Sequence, residues 1–231
     1  MTIALSWSRL SDYQQCPRKF HLKYIQKAFP QEEKSFHLIK GENIHRQLEA
    51  YLDAKKAGTT PDTERMTAYT PEVRETLPLI DRLMSQFQAC YSEAQVAVTY
   101  DWKQTEWFAK DVAWRAIIDA TFINPGHAFL IDWKSGKKYD YADEKGQLHL
   151  SGLIGMETIE VEHMDVAYVF VEHKHSSPIK LKRSQDAASL KAHFKEQFDI
   201  VNADKEFKPK VNENCKWCQA KKAQCPFSKK F

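Results

Sequence analysis

The chain has no run of about 18 apolar residues and no export signal at its start, so neither membrane spanning nor secretion is expected and the cytoplasm is the default location. It lacks a G-x-x-x-x-G-K-[ST] loop, which argues against an ATP-driven motor. Internal repeats and low-complexity tracts are missing too. Net charge is slight: a formal +3 does not by itself imply nucleic-acid binding. Cysteines are few, five in all, and without an export signal they do not read as a disulfide framework.

What is present suits one soluble domain. With 231 residues, 42% hydrophobic and 12% aromatic, the chain can bury a sizeable core beside one small appended lobe. Charge is uneven: from Lys205 to Phe231 eight lysines stand against Glu206 and Glu213, so this tail carries +6 and the remainder −3. Such a tail can track a phosphate backbone, or simply form the solvated surface of a metal-binding loop.

Apolar spacing predicts a first helix capped by Ser8, then a second after Cys16 with Phe20, Tyr24 and Ile25 on one stripe. A helix from about Glu42 to Lys56 buries Ile44, Leu48, Tyr51 and Leu52, with His45 beside that stripe. Residues 58–71 read as a polar loop and Leu77 to Tyr91 as a helix. Strands are expected through Glu93 to Asp101 and Glu106 to Phe108, and Glu93 reads first as a plain strand-end charge, with support of a site or contact with DNA as the alternatives. Gln147 to Met156 reads as a helix, Val166 to Val171 as a central strand with Ile179 to Leu181 beside it, and a last helix uses Leu190, Phe194, Phe198 and Ile200.

Between these lies a hairpin. Val112 to Ile123 and Ala128 to Lys134 are β-branched and apolar, and the Asn124-Pro125-Gly126-His127 segment between them is a turn, of a kind suited to type II geometry. With Pro125 and Gly126 as the loop, Asn124 faces His127, Asp119 faces Asp132 and Ile117 faces Lys134. Alternation then puts Asp132 and Lys134 on the same face as Asp119. Opposed carboxylates destabilise a sheet, and a cation such as Mg²⁺ held between them is an economical compensation. The alternatives are an edge hairpin whose charges face water, or a one-residue slip that parts the carboxylates.

Cys215-x2-Cys218-x6-Cys225 has ligand spacing. Of the two candidates for a fourth thiolate, Cys90 falls in the apolar Leu77 to Tyr91 segment and needs no function. Cys16 precedes Pro17, a favoured first helical residue, and is preferred. Four cysteines suit either tetrahedral Zn²⁺ or an iron–sulfur cluster, and spacing does not separate them.

Taken in order, these pieces resemble the RecB-like branch of the PD-(D/E)xK nuclease superfamily, including AddB-type and CRISPR-associated RecB-like nucleases. Ser8-Arg9-Leu10 through Cys16-Pro17-Arg18-Lys19-Phe20 is similar to the family's opening, Gly41-Glu42-Asn43-Ile44-His45 to its G-x-x-x-H helix, and the hairpin to its acidic and D-x-K strands. Gln147 opens a helix where the family has Q-x-x-x-Y, and Cys215, Cys218, Cys225 and Pro226 match its cluster-binding end. Two features depart from the pattern: Ser151 stands where the tyrosine is expected, and the last cysteine gap is one residue long.

The resemblance implies an α/β restriction-endonuclease-like core, a mixed central sheet flanked by helices. It places the core at 36–204 with a helical insertion near 58–91, and joins segments 1–30 and 205–231 in a lobe around a [4Fe–4S] cluster held by Cys16, Cys215, Cys218 and Cys225. It implies metal-dependent hydrolysis of DNA at ends or in single strands, most simply by an exonuclease. His45, Asp119, Asp132 and the Trp133 carbonyl would hold Mg²⁺ or Mn²⁺. Lys134 would act on the attacking water or the phosphate, and Gln147 would orient substrate or Lys134. Trp102, Trp107, Tyr139 and Tyr141 are candidates for base stacking. Relatives serve recombination, repair, phage replication and CRISPR adaptation, so a recombination or helicase partner and an oligomer are compatible with it. Two rival classes stand beside this reading, a catalytically silent DNA-binding or assembly subunit and a zinc-stapled interaction protein.

Overall fold

The computed structural model describes residues 2–30, 35–59, 63–136 and 145–228, and of 63–65 the backbone only. Two compact units emerge, Lys34–Ala192 and a second built from both chain ends, Met1–Glu33 with His193–Phe231.

The larger unit is a six-stranded mixed sheet between helices. Its strands are β1 (Ala89–Thr99), β2 (Gln104–Thr105), β3 (Val112–Asn124), β4 (His127–Lys134), β5 (His163–Phe170) and β6 (His175–Lys182), in the order β2-β1-β3-β4-β5-β6. All neighbours are antiparallel except β4 and β5, which run parallel because α6 (Lys145–Ile159) carries the chain between them. Gly126 has φ +75°, the left-handed value that a type II turn needs at its third residue, and Asn124 pairs with His127 as counted from the sequence.

Two helices, α3 (Phe36–Lys56) and α5 (Pro71–Gln86), cover one face of the sheet. Ile44, Leu48, Leu77 and Ile80 pack there with Ala120, Phe122, Ile131, Trp133, Ala167 and Val169. The opposite face carries Leu130 and Val166, and α6 lies so close to it that a Cβ at Gly152 would meet Val166 Cγ2 at 2.8 Å and one at Gly155 would meet Leu130 Cδ1 at 2.8 Å. That approach brings Gln147, in the first turn of α6, down to the sheet.

In the smaller unit, α1 (Trp7–Gln15) is capped by Ser6, whose hydroxyl accepts from the Arg9 N–H, rather than by Ser8. Cys16 ends α1, and Pro17 opens α2 (Pro17–Phe20), which continues as a π-helical turn over His21–Ile25. Asp12 accepts Lys23 Nζ and Tyr24 Oη at 2.7 Å each and pairs with Lys19 at 2.7 Å. The last helix, α7 (Arg183–Ala203), begins in the larger unit and ends here.

Several boundaries depart from expectation. Cys90 lies in β1, not in a helix, because α5 stops at Gln86 and Phe87 is already extended. Thr63–Ala68 forms a short helix, α4, inside the expected loop. Residues 106–108 are not strand, since β2 ends at Thr105, and Trp107 and Phe108 lie in a turn. Ile200 is 46% exposed and Val201 is buried in its place, one residue further round α7. Val171 closes β5 in a 3₁₀ turn, and β5 is next to the edge of the sheet rather than at its centre.

Candidate metal centre

The site lies where β3 and β4 part. Among the described residues their ladder ends at Ala120↔Ile131; beyond it β3 pairs only with β1, and β4 only with β5. Ile117 therefore does not pair with Lys134, and Asp119 and Asp132 flank an opening instead of facing each other in a closed ladder. Trp133 is left with main-chain groups that β3 no longer satisfies, and side chains take them over. Its N–H donates to Asp119 Oδ2 at 2.7 Å, and its carbonyl accepts from His45 Nε2 at 2.9 Å.

That second bond determines the imidazole. A carbonyl only accepts, so Nε2 carries the proton and Nδ1 turns to Asp119 Oδ2 at 3.5 Å. A ligating histidine is commonly held this way, with its other N–H on a main-chain carbonyl. Burial alone would lower the His45 pKa, but the hydrogen bond to Asp119 and the charges of Asp119 and Asp132 outweigh it and raise it.

Glu93 completes the group. It has φ +44° within β1, in register with Asp119, since Ser92 pairs with Ala120 and Ala94 with Ile118. His45, Glu93 and Asp119 each offer a ligand atom, all within 4.8 Å of one another. Burial, then the charges of Asp119 and Glu49, push the Glu93 carboxyl up, and burial with Asp119 does the same to Asp132 against the opposing pull of Lys134. Carboxylates strained toward protonation and facing one imidazole are a donor set that a hard divalent cation relieves.

Asp132 belongs to a neighbouring network rather than to that trio. Its Oδ1 lies 2.9 Å from Lys134 Nζ, and its Oδ2 accepts from Gln147 Nε2. Gln147 Oε1 accepts Lys134 Nζ at 3.3 Å and Tyr168 Oη at 3.2 Å, while the ammonium sits 4.6 Å from the centre of the Tyr168 ring. Tyr168 pairs with Asp132 across β4 and β5. A phenol from β5 thus reaches Gln147, whereas Ser151 on α6 carries none. Both networks open into one cleft of about 900 Å³, bordered also by Gly41, Leu38 and Ile117.

Sequence reasoning underrated Glu93 and missed Tyr168. The signals for the first were a charge at the start of a strand-like run and a resemblance to nucleases that often carry Glu there; a tyrosine within an apolar strand gave none for the second. Of the stacking candidates, Trp102 is buried against Trp114, ring centres 6.3 Å apart, and belongs to the core. Tyr139 and Tyr141 lie outside the described residues.

Cys16, Cys215, Cys218 and Cys225 all line a cavity of about 380 Å³ in the smaller unit, and each is a free thiol. The Lys210 N–H points at Cys16 Sγ (3.4 Å) and the Asn212 N–H at Cys215 Sγ (3.5 Å). Among the described residues no three of these sulfurs come within 4.8 Å of one another. Tetrahedral Zn²⁺ with bonds of about 2.3 Å would need them ~3.8 Å apart.

The family model described as the PD-(D/E)XK nuclease superfamily matches residues 4–226. The chain belongs to that superfamily. No curated protein matches its sequence. Among solved structures it is similar to SSO0001, at 14% identity and TM-score 0.43, over 99% of this chain and 88% of that one. Another is an alkaline exonuclease (LHK-Exo) from Laribacter hongkongensis, at 11% identity and TM-score 0.36, over 87% and 86%. As in other members of the superfamily, the sheet is mixed and helices flank it; among the described residues no helix is long and apolar enough to cross a membrane.

Proposed function

We propose that this superfamily member is a metal-dependent deoxyribonuclease of the RecB-like kind, acting on DNA ends or single strands. The observation that carries the proposal is the convergence of His45, Glu93 and Asp119 within 4.8 Å in the cleft that also holds Lys134. His45 Nδ1 and the carboxylates of Glu93 and Asp119 would hold Mg²⁺ or Mn²⁺, with Asp132 and the Trp133 carbonyl beside them. Such a cation, when bound, acidifies a water and neutralises charge on the scissile phosphate. Lys134, held by Asp132, Gln147 and the Tyr168 ring, presents a fixed positive charge to the phosphate or the attacking water. Gln147 sets the position of both Asp132 and Lys134.

In the smaller unit the four cysteines would hold a [4Fe–4S] cluster with a structural role. Four thiols around one cavity and two amide N–H groups aimed at sulfur support this.

The test is degradation of end-labelled single- and double-stranded DNA in Mn²⁺ or Mg²⁺, with Lys134→Ala alongside. Metal-dependent cutting that the variant loses is expected. Absence of cutting by anaerobically prepared, cluster-loaded protein would refute the proposal.

A further inference from the structure

Along the face of β3 that bears Asp119, the next two residues away from the turn are Ile117 and Arg115, because side chains alternate on a strand. Ile117 borders the metal cleft and is 52% exposed, unusual for a large apolar residue beside an acidic centre. Arg115 follows, its guanidinium 5.4 Å from the centre of the Trp107 ring and 5.8 Å from that of Phe108. Phe108 is 85% exposed, the most exposed large apolar residue described. On the adjoining strand Ile117 pairs with the exposed Gln95 and Arg115 with Ala97.

From Asp119 to Arg115 the strip extends ~14 Å at about 3.4 Å per residue. It thus offers, in sequence, a metal-binding carboxylate, an apolar surface, a cation and an aromatic ring. We infer that single-stranded nucleic acid leaves the metal centre along this strip, its bases laid on Ile117 and Phe108 and its backbone charge met by Arg115. The inference rests on the nuclease reading and adds the path of the strand and the residues that line it. A duplex turns its phosphates outward and keeps its bases stacked inside, so these apolar surfaces have nothing to bind on it. Bases of a single strand are free to stack on aromatic rings, and a guanidinium over such rings adds cation–π attraction.

The test compares the full-length wild type, Phe108→Ala and Phe108→Trp. Binding of a fluorescein-labelled oligothymidylate is followed by anisotropy in Ca²⁺, which requires no turnover. Hydrolysis of thymidine 5′-(p-nitrophenyl phosphate) in Mn²⁺ is measured in parallel, because that ester is too short to reach Phe108. Phe108→Ala should bind the oligonucleotide about tenfold more weakly and Phe108→Trp as tightly as wild type, with duplex affinity and melting temperature the same in all three. Hydrolysis of the small ester should be equal in all three. Failure of the wild type to hydrolyse any substrate would defeat the nuclease reading, while anisotropy still judges the strip. Equal oligonucleotide binding by wild type and Phe108→Ala would overturn the strip. So would a concentration-dependent dimer that Phe108→Ala dissociates without change in strand affinity, for the face would then belong to a second copy.

Discussion

His45 and Trp133 are joined by a 2.9 Å hydrogen bond from the imidazole Nε2 to the main-chain carbonyl. It turns Nδ1 toward Asp119 and Glu93, and the hydrogen bond to Asp119 with the charges of Asp119 and Asp132 raises the pKa of the imidazole against the effect of burial. Metal and proton therefore compete. Mn²⁺ affinity should rise with pH through the His45 titration, with protons released on binding at lower pH. Calorimetric titration in buffers of different ionisation enthalpy checks this; in His45→Asn the release should shrink to what the raised Glu93 carboxyl contributes.

Glu93 separates the proposed trio of ligands from an arrangement built on Asp119 and Asp132. Asp132→Asn should weaken Mn²⁺ binding by about 10–100-fold, as loss of a group that supports metal ligands does, and Glu93→Gln should weaken it more. Equal losses in both variants, measured by calorimetry, would place Asp132 in the first coordination sphere.

Tyr168 acts through Gln147. Tyr168→Phe removes one neutral hydrogen bond at 3.2 Å and leaves the ring under Lys134. A loss of about 1 kcal/mol, roughly fivefold in kcat with KM unchanged, is expected. Lys134→Ala and Asp132→Ala should abolish cleavage with the fold intact by circular dichroism. Cleavage surviving in both would refute the site.

Asp12 ties α1 to the turn after α2. Burial alone would raise its pKa, but hydrogen bonds from Lys19, Lys23 and Tyr24 prevail and lower it. A lowered folded pKa means stability that is present above the unfolded value near 3.9 and lost as pH falls through the folded one. Asp12→Asn should cost about 2 kcal/mol at pH 7, with the deficit shrinking in acid. Urea denaturation at neutral and acid pH measures it.

Cys218→Ala tests the cysteine cavity. Anaerobic wild-type protein should be brown, with broad absorption near ~400 nm. The variant should lose that colour and melt at lower temperature. A colourless but zinc-containing wild type would establish the zinc alternative.

Neighbouring residues encoded a good deal of this molecule. Pro125-Gly126 with apolar runs on either side was enough to set the register Asn124↔His127, because turn type and side-chain alternation are local properties. The stripe Ile44, Leu48, Tyr51 and Leu52 was enough to orient α3, because burial follows helical period. Where the hairpin ladder would stop was not legible, since that depends on β1 and β5 competing for the outer edges of β3 and β4. The fork at Ala120↔Ile131 in turn decided that Asp119 and His45 bind the main chain of Trp133, that Glu93 enters the group from β1, and that Tyr168 reaches Gln147 from β5. Local pattern was enough for most of the strands and helices and for most of the chemical groups. Which of those groups meet was settled by packing, because contacts between residues far apart in the chain depend on how whole elements come together.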